Sequence, residues 1–291
     1  MLFQQLVNGI TIGGIYALIA LGYSMVYGIL GIVNFAHADI MMFGTFIGLM
    51  LAEALNLPII VVFIVASICT AVIGMLVELV AYRPIKSDNR RMSVLVSALG
   101  MSIFIQNLAL VIWGTGTHTF SSGIEIKAYT IGSIVVSNVQ IMIMIVTMVM
   151  LLVLYTVVYK TQLGVAMRAC SVSVDYAKLL GINSNGIISL TFGIGTFMAA
   201  IAGICVGIYY DAVYPTMGYM LGMKAFAAAI LGGIGSIPGA VIGGFSIGII
   251  ETLGATYISS GYRDAYAFII MVLILVIRPS GLFGAKQIDK V

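Results

Sequence analysis

The sequence predicts an all-α fold, a polytopic bundle of transmembrane helices, and three observations support this prediction. Hydrophobic residues make up 62% of the 291-residue chain, charged residues make up only 8%, and the mean hydropathy is +1.18. So few charges cannot cover the surface of a water-soluble fold of this length. Several uncharged runs also exceed the roughly 18 apolar residues that indicate a helix long enough to cross a bilayer. We therefore expect a multi-pass membrane protein.

Long apolar runs in lipid must form helices, because the bilayer core offers the backbone no other hydrogen-bond partners. The hydropathy pattern predicts eight or nine spans, with residues 220–239 as a broken or re-entrant pair. The predicted spans cover residues 5–31, 37–54, 58–82, 92–113, 139–159, 187–210, 220–236, 239–258 and 262–278.

Two segments outside these spans, residues 114–138 and 160–186, are each about 25 residues long, whereas an independent domain needs roughly 50 or more. Neither segment can fold as a separate catalytic module. Residues 1–291 are therefore predicted to form a single transmembrane domain. Any energy-supplying or solute-capturing domain must belong to another chain.

Basic residues beside apolar spans mark the cytoplasmic side of a membrane protein. Most of the Lys and Arg residues form three clusters, and counting spans places all three on the same side. The clusters are Arg83, Lys86, Arg90 and Arg91; Lys160, Arg168 and Lys178; and Arg278, Lys286 and Lys290. The basic residues that stand alone in the sequence are Lys127, Lys224 and Arg263. Three spans before Arg83 place the N-terminus outside and two place it inside; the absence of earlier positive charge favours outside.

The sequence lacks the residues that nucleotide and metal chemistry require. A P-loop needs GxxxxGK[ST], and the dipeptide Gly-Lys does not occur in the chain. His37 and His118 form neither an HExxH motif nor a pair with metal-ligand spacing, and the three cysteines are too scattered for a CxxC site. A net charge of +3 is too small to indicate nucleic-acid binding. We expect a non-catalytic protein with no cofactor, no metal and no nucleic-acid partner.

Residues 160–186 contain enough polar residues to lie outside the membrane. Their apolar residues are nevertheless spaced regularly enough to indicate a folded segment. Apolar residues recur there at near-helical spacing, at Val172, Tyr176, Leu179 and Leu180. Gly181 is a typical C-terminal stop, and Lys178 in the last turn suits the helix dipole. The pattern predicts a short surface helix with one apolar face. That face either docks into a groove on a cytoplasmic partner or rests on the lipid headgroups.

The same loop resembles the EAA-type coupling loop of ABC importer permeases. The resemblance rests on Gly164-x-x-x-Arg168-Ala169 followed by Asp175-Tyr176-Ala177-x-Leu179-Leu180-Gly181-Ile182, with Asp175, Tyr176 and Ala177 standing where Glu-Ala-Ala would be. Further stretches extend it: IVNFAHA at 32–38, AYRP at 81–84, ALGMSI at 98–103, GMKAF at 222–226 and LGGIGSIPGA at 231–240. Together they resemble, along almost the whole chain, the permease of bacterial branched-chain amino-acid ABC importers, the LivH type.

This resemblance implies a specific assembly in the bacterial cytoplasmic (inner) membrane. The permease would pair with a second homologous permease chain, two cytoplasmic ATPase subunits and an extracytoplasmic amino-acid-binding protein, with membrane lipid around the spans. The solute would be leucine, isoleucine, valine or a similar hydrophobic amino acid. The residues that the resemblance assigns to contact with the ATPase are Gly164, Arg168, Asp175, Tyr176, Ala177, Leu179, Leu180, Gly181 and Ile182.

Polar side chains within the predicted spans are candidates for a solute path, because charges at membrane depth are costly and mark function. The candidates are Asn34, His37, Asp39, Gln106, Asn107 and Glu251. Two other interpretations remain open: the uncharged groups join helices by hydrogen bonds, and the acidic groups snorkel from span ends to the interface. The acidic residues at or near predicted span ends are Asp39, Glu53, Glu78, Asp211 and Glu251, of which Glu251 is the deepest.

The polar residues also allow a second class of function, a stand-alone secondary transporter or channel for a small neutral solute. In that interpretation Asp39, His37 or Glu251 serves as a proton or ion site, and no partner chain is needed.

The glycine-rich stretch 232–244 contains six glycines and Pro238 within an otherwise apolar region. An uninterrupted helix is not expected there. The break either places free backbone groups beside a solute path or serves close helix packing through small residues. The spacing Gly235-x-x-x-Gly239-x-x-x-Gly243 favours packing, with a turn at residues 236–238.

Overall fold

The computed structural model describes residues 1–55, 57–85, 89–120, 123–132 and 134–284. Its helices are α1 (Leu2–Leu30), α2 (His37–Leu55), α3 (Ile59–Val77), α4 (Arg90–Trp113), α5 (Asn138–Lys160), α6 (Gln162–Val172), α7 (Val174–Leu179), α8 (Ser184–Tyr210), α9 (Met217–Gly232), α10 (Ile237–Tyr257) and α11 (Arg263–Ile277). A π-helical turn, Glu78–Tyr82, extends α3, and a short 3-10 turn, Ser260–Tyr262, precedes α11. Strands β1 (Ala128–Ile131) and β2 (Ile134–Ser137) form an antiparallel hairpin before α5.

Eight of the described helical segments are long and apolar enough to cross a membrane, and α9, with 16 residues, is a shorter apolar helix. This architecture confirms the prediction of an all-α transmembrane bundle with eight or nine spans. The hairpin of β1 and β2 falls in a segment to which the sequence analysis assigned no structure.

Helix α1 is the centre of the bundle. Every residue from 11 to 26 is buried, and α1 packs against α10, α8, α9 and α5. A helix that is apolar on all sides is stable only when other elements surround it. Glycines allow α1 and α10 to approach closely: a Cβ at Gly13 would lie 2.7 Å from the Cα of Phe245, and one at Gly9 would lie 2.8 Å from the Cα of Ile249. The contact therefore depends on backbone-to-backbone packing.

The outer helices α4, α5 and α11 expose most of their apolar side chains. In their most hydrophobic 18-residue windows, only 17%, 22% and 6% of the residues are buried. In water such faces would aggregate, whereas in a bilayer they contact acyl chains or another membrane chain. The structure is thus that of a multi-pass membrane protein.

Two six-residue breaks, residues 31–36 and 211–216, interrupt the bundle from opposite ends. Each follows a long helix and begins with a left-handed residue, Gly31 (φ 63°) or Asp211 (φ 49°), whose backbone N–H closes the preceding helix. Each then leads into a helix that starts inside the bundle. Because the His37 ring fills the space beside Gly22, α2 starts roughly 12 Å inward from the end of α1.

The starts of α2 and α9 meet within the bundle. A Cβ at Gly218 would lie 2.6 Å from the carbonyl oxygen of Ala38, and Gly222 faces the Ala38 side chain and the Tyr23 hydroxyl. The sequence analysis predicted a broken or re-entrant pair at 220–239. It also ended spans at residues 31 and 210, and the structure shows that the helices following these two ends start within the bundle.

The glycine-rich stretch contains a break and close packing together. Gly233 (φ 102°) and Gly235 (φ 91°) separate α9 from α10, and a Cβ at Gly243 would collide with the carbonyl oxygen of Ala228. The turn lies slightly before the predicted 236–238, because Ser236 caps α10 by accepting a hydrogen bond from Gly239 N (3.2 Å). Pro238 lies in the first helical turn, where its missing N–H leaves no hydrogen bond unmade.

The two ends of the bundle differ in charge. At one end, Gln4 Nε2 donates to the Val135 carbonyl oxygen (2.8 Å), so the start of α1 lies beside β2. At the other end, the Arg91 guanidinium lies beside Gly31, just after α1. The start of α1 and Arg91 therefore lie at opposite ends, so the positive-inside rule leads us to expect a cytoplasmic Arg91 end and an external start of α1. Lys86, Lys286 and Lys290 of the predicted basic clusters lie outside the described residues.

The packing of α1 on α10 predicts the effect of a single added methyl group. We expect Gly13→Ala to lower the free energy of unfolding by about 1–3 kcal/mol, because the new Cβ meets backbone that cannot rotate away. Thermal unfolding of the purified chain in mild detergent measures the effect. Gly100→Ala on α4, where a Cβ would have open space, is the matched control and should leave stability equal or slightly higher. Equal melting temperatures for the two variants would contradict the packing argument.

Candidate functional site

The cytoplasmic loop predicted to carry one surface helix contains two short helices, α6 and α7. Ser173 separates them with an extended backbone (φ −164°, ψ 120°), and its hydroxyl accepts a hydrogen bond from Tyr176 N (3.3 Å). A serine in extended conformation is a favoured N-cap, so the sequence itself starts a new helix at this point. The prediction of a single helix was wrong in this respect, because the near-helical spacing of apolar residues runs across the break.

Gly181 ends α7, as predicted. Its left-handed conformation (φ 83°) allows two hydrogen bonds of 3.0 Å that close the helix, from Gly181 N to Lys178 O and from Ile182 N to Ala177 O. This is the Schellman arrangement of a helix C-terminus. It fixes the direction in which the chain leaves α7 toward α8.

Helix α6 is anchored to the end of α5. A Cβ at Gly164 would collide with the carbonyl group of Val158, so only glycine permits this approach. Arg168 donates a hydrogen bond to the same carbonyl oxygen, and its guanidinium lies 5.7 Å from the centre of the Tyr159 ring, a cation–π contact. Gly164 and Arg168 therefore hold the loop in position.

Four large apolar side chains project from the loop, and we call them the α7 patch. They are Val172, Tyr176, Leu179 and Leu180, each between 71% and 86% exposed. Asp175 and Lys178, also exposed, pair with each other (3.6 Å). Two members of the predicted coupling set point the other way: Ala177 is buried and Ile182 is half-buried. A cavity of about 530 Å³, lined by Arg91 and by loop residues, places the patch at the Arg91 end of the bundle.

The predicted path residues at the first break belong to a hydrogen-bonded network. Asp39, in the first turn of α2, accepts hydrogen bonds from Ser102 Oγ and from Gln106 Nε2 (2.8 Å), both on α4. Asn34 Oδ1 accepts a hydrogen bond from the Tyr82 hydroxyl (2.7 Å). These bonds fasten the break to its neighbours.

His37 and Asn107 stand apart from this network. His37 is buried, with its ring edge-on to Tyr23 at 4.7 Å between centroids. Asn107 is exposed on α4, and its amide donates to the Ile103 carbonyl oxygen (2.8 Å) of the same helix. The structure therefore brings Asp39 and Gln106 together but leaves Asn107 on the outer surface.

Snorkelling does not account for three of the acidic residues. Asp39, Glu78 and Glu251 are buried, whereas Glu53 and Asp211 are exposed near helix ends. Glu78 pairs with Arg83 through two hydrogen bonds of 3.1 and 2.8 Å. A buried carboxylate requires such partners because desolvation otherwise disfavours its charge.

Glu251 is the hub of a buried charge cluster that joins four helices. Its Oε1 accepts from Lys224 Nζ (2.9 Å) and from Arg263 Nε (2.7 Å), and its Oε2 accepts from the Tyr16 hydroxyl (2.9 Å). Lys224 also pairs with Asp264 (2.5 Å). Two cations and two anions therefore cancel within one cluster.

The sequence analysis selected Glu251 but treated Lys224 and Arg263 as isolated. The signal it missed is that Lys224 lies between long apolar runs, where a cation requires a buried anion. Glu251, the deepest acidic residue on the predicted spans, was the obvious partner. Tyr16, Ser102 and Asp264 carry no comparable signal in the sequence.

A multi-pass helical bundle with an exposed loop patch at one end and paired polar groups at membrane depth is typical of membrane transport proteins. Among the described residues, no group of three or more His, Cys, Asp and Glu could hold a metal ion. The sequence model of the family described as "Branched-chain amino acid transport system / permease component" matches residues 5–277, and the chain belongs to this family.

Curated relatives extend this similarity over the whole length. The permease protein BraD of a high-affinity branched-chain amino acid transport system in Pseudomonas aeruginosa is 40% identical over 300 residues, covering 99% of this chain and 97% of that protein. LivH of Escherichia coli is 41% identical over 301 residues, with the same coverage. A probable LivH of Methanocaldococcus jannaschii is 26% identical, covering 95% of this chain and 91% of that protein. These comparisons confirm the resemblance found in the sequence.

The charge cluster predicts a large effect for the loss of one cation. We expect Lys224→Met to lower the free energy of unfolding by about 3 kcal/mol, because it leaves Glu251 and Asp264 with one cation between them in a low-dielectric interior. Unfolding in SDS from mild detergent micelles measures this value.

The matched control is Lys127→Met. Lys127 pairs with Glu125 on the surface (3.4 Å), and both side chains are mostly exposed, so its loss should change stability by less than about 1 kcal/mol. A Lys224→Met variant as stable as the control would show that the cluster does not hold the four helices together.

Proposed function

We propose that this chain is the transmembrane permease subunit of an ABC importer and provides half of the translocation path for branched-chain or other hydrophobic amino acids. Residues 1–291 form one transmembrane domain in the bacterial cytoplasmic membrane. A second homologous permease chain completes the path, two cytoplasmic ATPase subunits hydrolyse ATP, and an extracytoplasmic binding protein delivers the solute. The permease itself carries out no chemical reaction.

The observation that carries this proposal is the α7 patch. Four large apolar side chains in a loop outside the predicted spans are 71–86% exposed, and contacts with the described residues do not explain them. Helix-in-groove docking uses such a set of apolar anchors. The similarity to BraD and LivH, which are named as permease proteins of branched-chain amino acid transport systems, supports the same conclusion.

The alternative of a headgroup-bound helix fits the loop less well. Interfacial helices attract anionic lipid through Lys and Arg on their polar face. In α7, Lys178 is neutralised by Asp175 of the same helix. Helix α7 therefore carries no net positive charge beside its apolar side chains, which favours a protein groove over a lipid surface.

The loop is hydrogen-bonded to the helices that precede and follow it, so a displacement of the loop would move those helices. Helix α6 is bonded to the end of α5 through Val158, and the Ser184 hydroxyl at the start of α8 donates to the Val174 carbonyl oxygen of α7 (3.3 Å). Helix α8 packs against α1, α2 and α3. A displacement of the α7 patch by an ATPase would therefore move α8 against the helices that surround the first break.

The alternative function, a stand-alone secondary transporter or channel, needs an ionisable group that is free to bind a proton or an ion. Glu251 is held by two cations, and Asp39 is held by Ser102 and Gln106. His37, buried against the Tyr23 ring, is the candidate that remains for this alternative. Uptake of leucine by the purified chain alone, driven by a proton gradient, would support this alternative against the importer.

The importer proposal predicts that a charge in the α7 patch uncouples the complex. We expect Leu179→Asp to reduce both co-purification of the ATPase subunits and ATP-dependent leucine uptake in proteoliposomes at least tenfold. The chain should still fold, because the Leu179 side chain is 82% exposed.

Val165→Asp is the matched control. Val165 is an exposed apolar residue of the same loop but lies outside the patch, so both ATPase binding and uptake should stay near wild-type levels. Normal uptake by the Leu179→Asp complex would rule out the α7 patch as the coupling surface.

A further inference from the structure

A cavity of about 430 Å³ lies beside the Glu251 charge cluster, between α1, α8, α9 and α11. Its wall includes Tyr210, the last residue of α8, and residues of the 211–216 break. Because α8 begins at the cytoplasmic loop and runs the full length of the bundle, the cavity lies toward the extracytoplasmic end. The volume falls within the roughly 300–1,000 Å³ typical of small-molecule sites.

The polar part of the cavity wall carries charges of both signs. Lys224 and Arg263 supply cations, Asp264 supplies a carboxylate, and Tyr16 and Tyr210 supply hydroxyl groups. Glu251 lies behind the wall, fully buried, and balances the second cation. The cluster therefore has no net charge, although separate positive and negative groups face the cavity.

The exposed members of the cluster are those able to exchange partners. The Asp264 side chain is 51% exposed and pairs with Lys224, which is only 8% exposed and also pairs with Glu251. If the carboxylate of a solute replaced Asp264 at the cations, Asp264 would be free to accept the solute's ammonium group. Because this exchange leaves no unpaired charge in a low-dielectric site, its free-energy cost stays small.

Helix α9 begins at the wall of this cavity. Met217, its first residue, lies on the cavity wall, so the positive end of the helix dipole is at the cavity. Discontinuous helices in transporters place their N-termini toward anionic substrate groups in this way.

The remaining wall is apolar. Val206, Met217, Met220 and Leu221 form it, next to the charged groups. Methionine side chains adapt to ligands of different shape, so this wall suits branched aliphatic chains of several lengths. A molecule with a carboxylate, an ammonium group and an aliphatic chain could bind the cations, the Asp264 carboxylate and the apolar wall at the same time.

From this geometry we infer that the cavity is a binding site for a zwitterionic aliphatic amino acid. Lys224 and Arg263 hold the α-carboxylate, Asp264 holds the α-ammonium group, and the Met220–Leu221 wall holds the side chain. This inference rests on the proposed function and adds to it the place in this chain where the solute is received.

The test uses the complete complex of permeases and ATPases in lipid nanodiscs, without the binding protein. Binding of tritiated leucine is measured by scintillation proximity, with 4-methylpentanoate and isopentylamine as competitors that lack the ammonium group and the carboxylate, respectively. We expect saturable leucine binding in the wild type and competition at least tenfold weaker from each analogue.

Asp264→Asn should weaken leucine binding at least tenfold, whereas competition by 4-methylpentanoate should stay the same or improve. If Asp264 had only a structural role, Asp264→Asn would weaken the binding of leucine, 4-methylpentanoate and isopentylamine alike. Asp264→Glu should recover part of the leucine affinity. Glu125→Gln is the matched control, since Glu125 is an exposed carboxylate of a surface pair outside the cavity, and it should bind leucine as the wild type does.

Met220→Trp tests the cavity without changing a charge. Met220 is 42% exposed, so a larger side chain there should be tolerated while it fills the space for the aliphatic chain and weakens leucine binding. This variant decides the question if Asp264→Asn fails to fold. Wild-type leucine affinity in Met220→Trp, or unchanged affinity and selectivity in a folded Asp264→Asn complex, would overturn the inference.

The outcomes separate this inference from the proposed function. If the wild-type complex, supplied with its binding protein and ATP, does not take up leucine or a related amino acid, the proposed function fails. If the complex transports leucine but shows no saturable leucine binding of its own, the binding site alone is refuted.

Discussion

The bilayer core supplies neither hydrogen bonds nor counter-ions, and this constraint explains most features of the structure. Long helices satisfy their own backbone, but the breaks at 31–36 and 211–216 cannot do so in lipid. The 31–36 break lies largely buried among other helices, whereas Val213 of the 211–216 break exchanges two backbone hydrogen bonds of 2.8 Å with His118. Both breaks begin with a left-handed residue that closes the preceding helix. The charged side chains obey the same rule: Glu251 has two cations around it, and Asp39 has two polar donors.

Close packing of helices at glycines also stabilises the bundle in lipid. Where α1 crosses α10, and where α9 turns into α10, the backbones come too close for any side chain, as at Gly13 and Gly243. Apolar burial gives little net attraction between helices in lipid, so this close packing and a few buried polar contacts hold them together. The interior is consequently tightly packed along α1.

The parts of the fold that depend on hydropathy alone could be predicted from the sequence. Spans need only an apolar run of sufficient length, and the end of α7 needs only Gly181 in a left-handed conformation. The division of the cytoplasmic loop at Ser173 was not predicted, because the apolar spacing continues across it. The cluster around Glu251 could be predicted only in part: Lys224 between apolar runs indicated a buried anion, whereas Tyr16 and Arg263 lie on two further helices and their proximity to Glu251 depends on tertiary packing. The gaps between the predicted spans, at 32–36 and 211–219, already fell at both breaks, but hydropathy could not show that the helices following them start inside the bundle.

Helix α8 connects the cytoplasmic loop that carries the α7 patch to the cavity beside the Glu251 charge cluster. Its first residue, Ser184, is hydrogen-bonded to α7, and its last residue, Tyr210, lies on the wall of the cavity beside the charge cluster. A helix of 27 residues spans about 40 Å and behaves as one rigid element over that distance. After Tyr210 the chain enters the 211–216 break and then α9, whose start contacts Ala38 at the start of α2. A displacement that an ATPase imposes on the α7 patch would therefore reach both breaks through a single helix, and it would change the position of the α9 N-terminus relative to Arg263 and Asp264. In this arrangement the proposed solute site and the proposed ATPase contact would be joined by one continuous helix, which requires no long pathway of side-chain rearrangements.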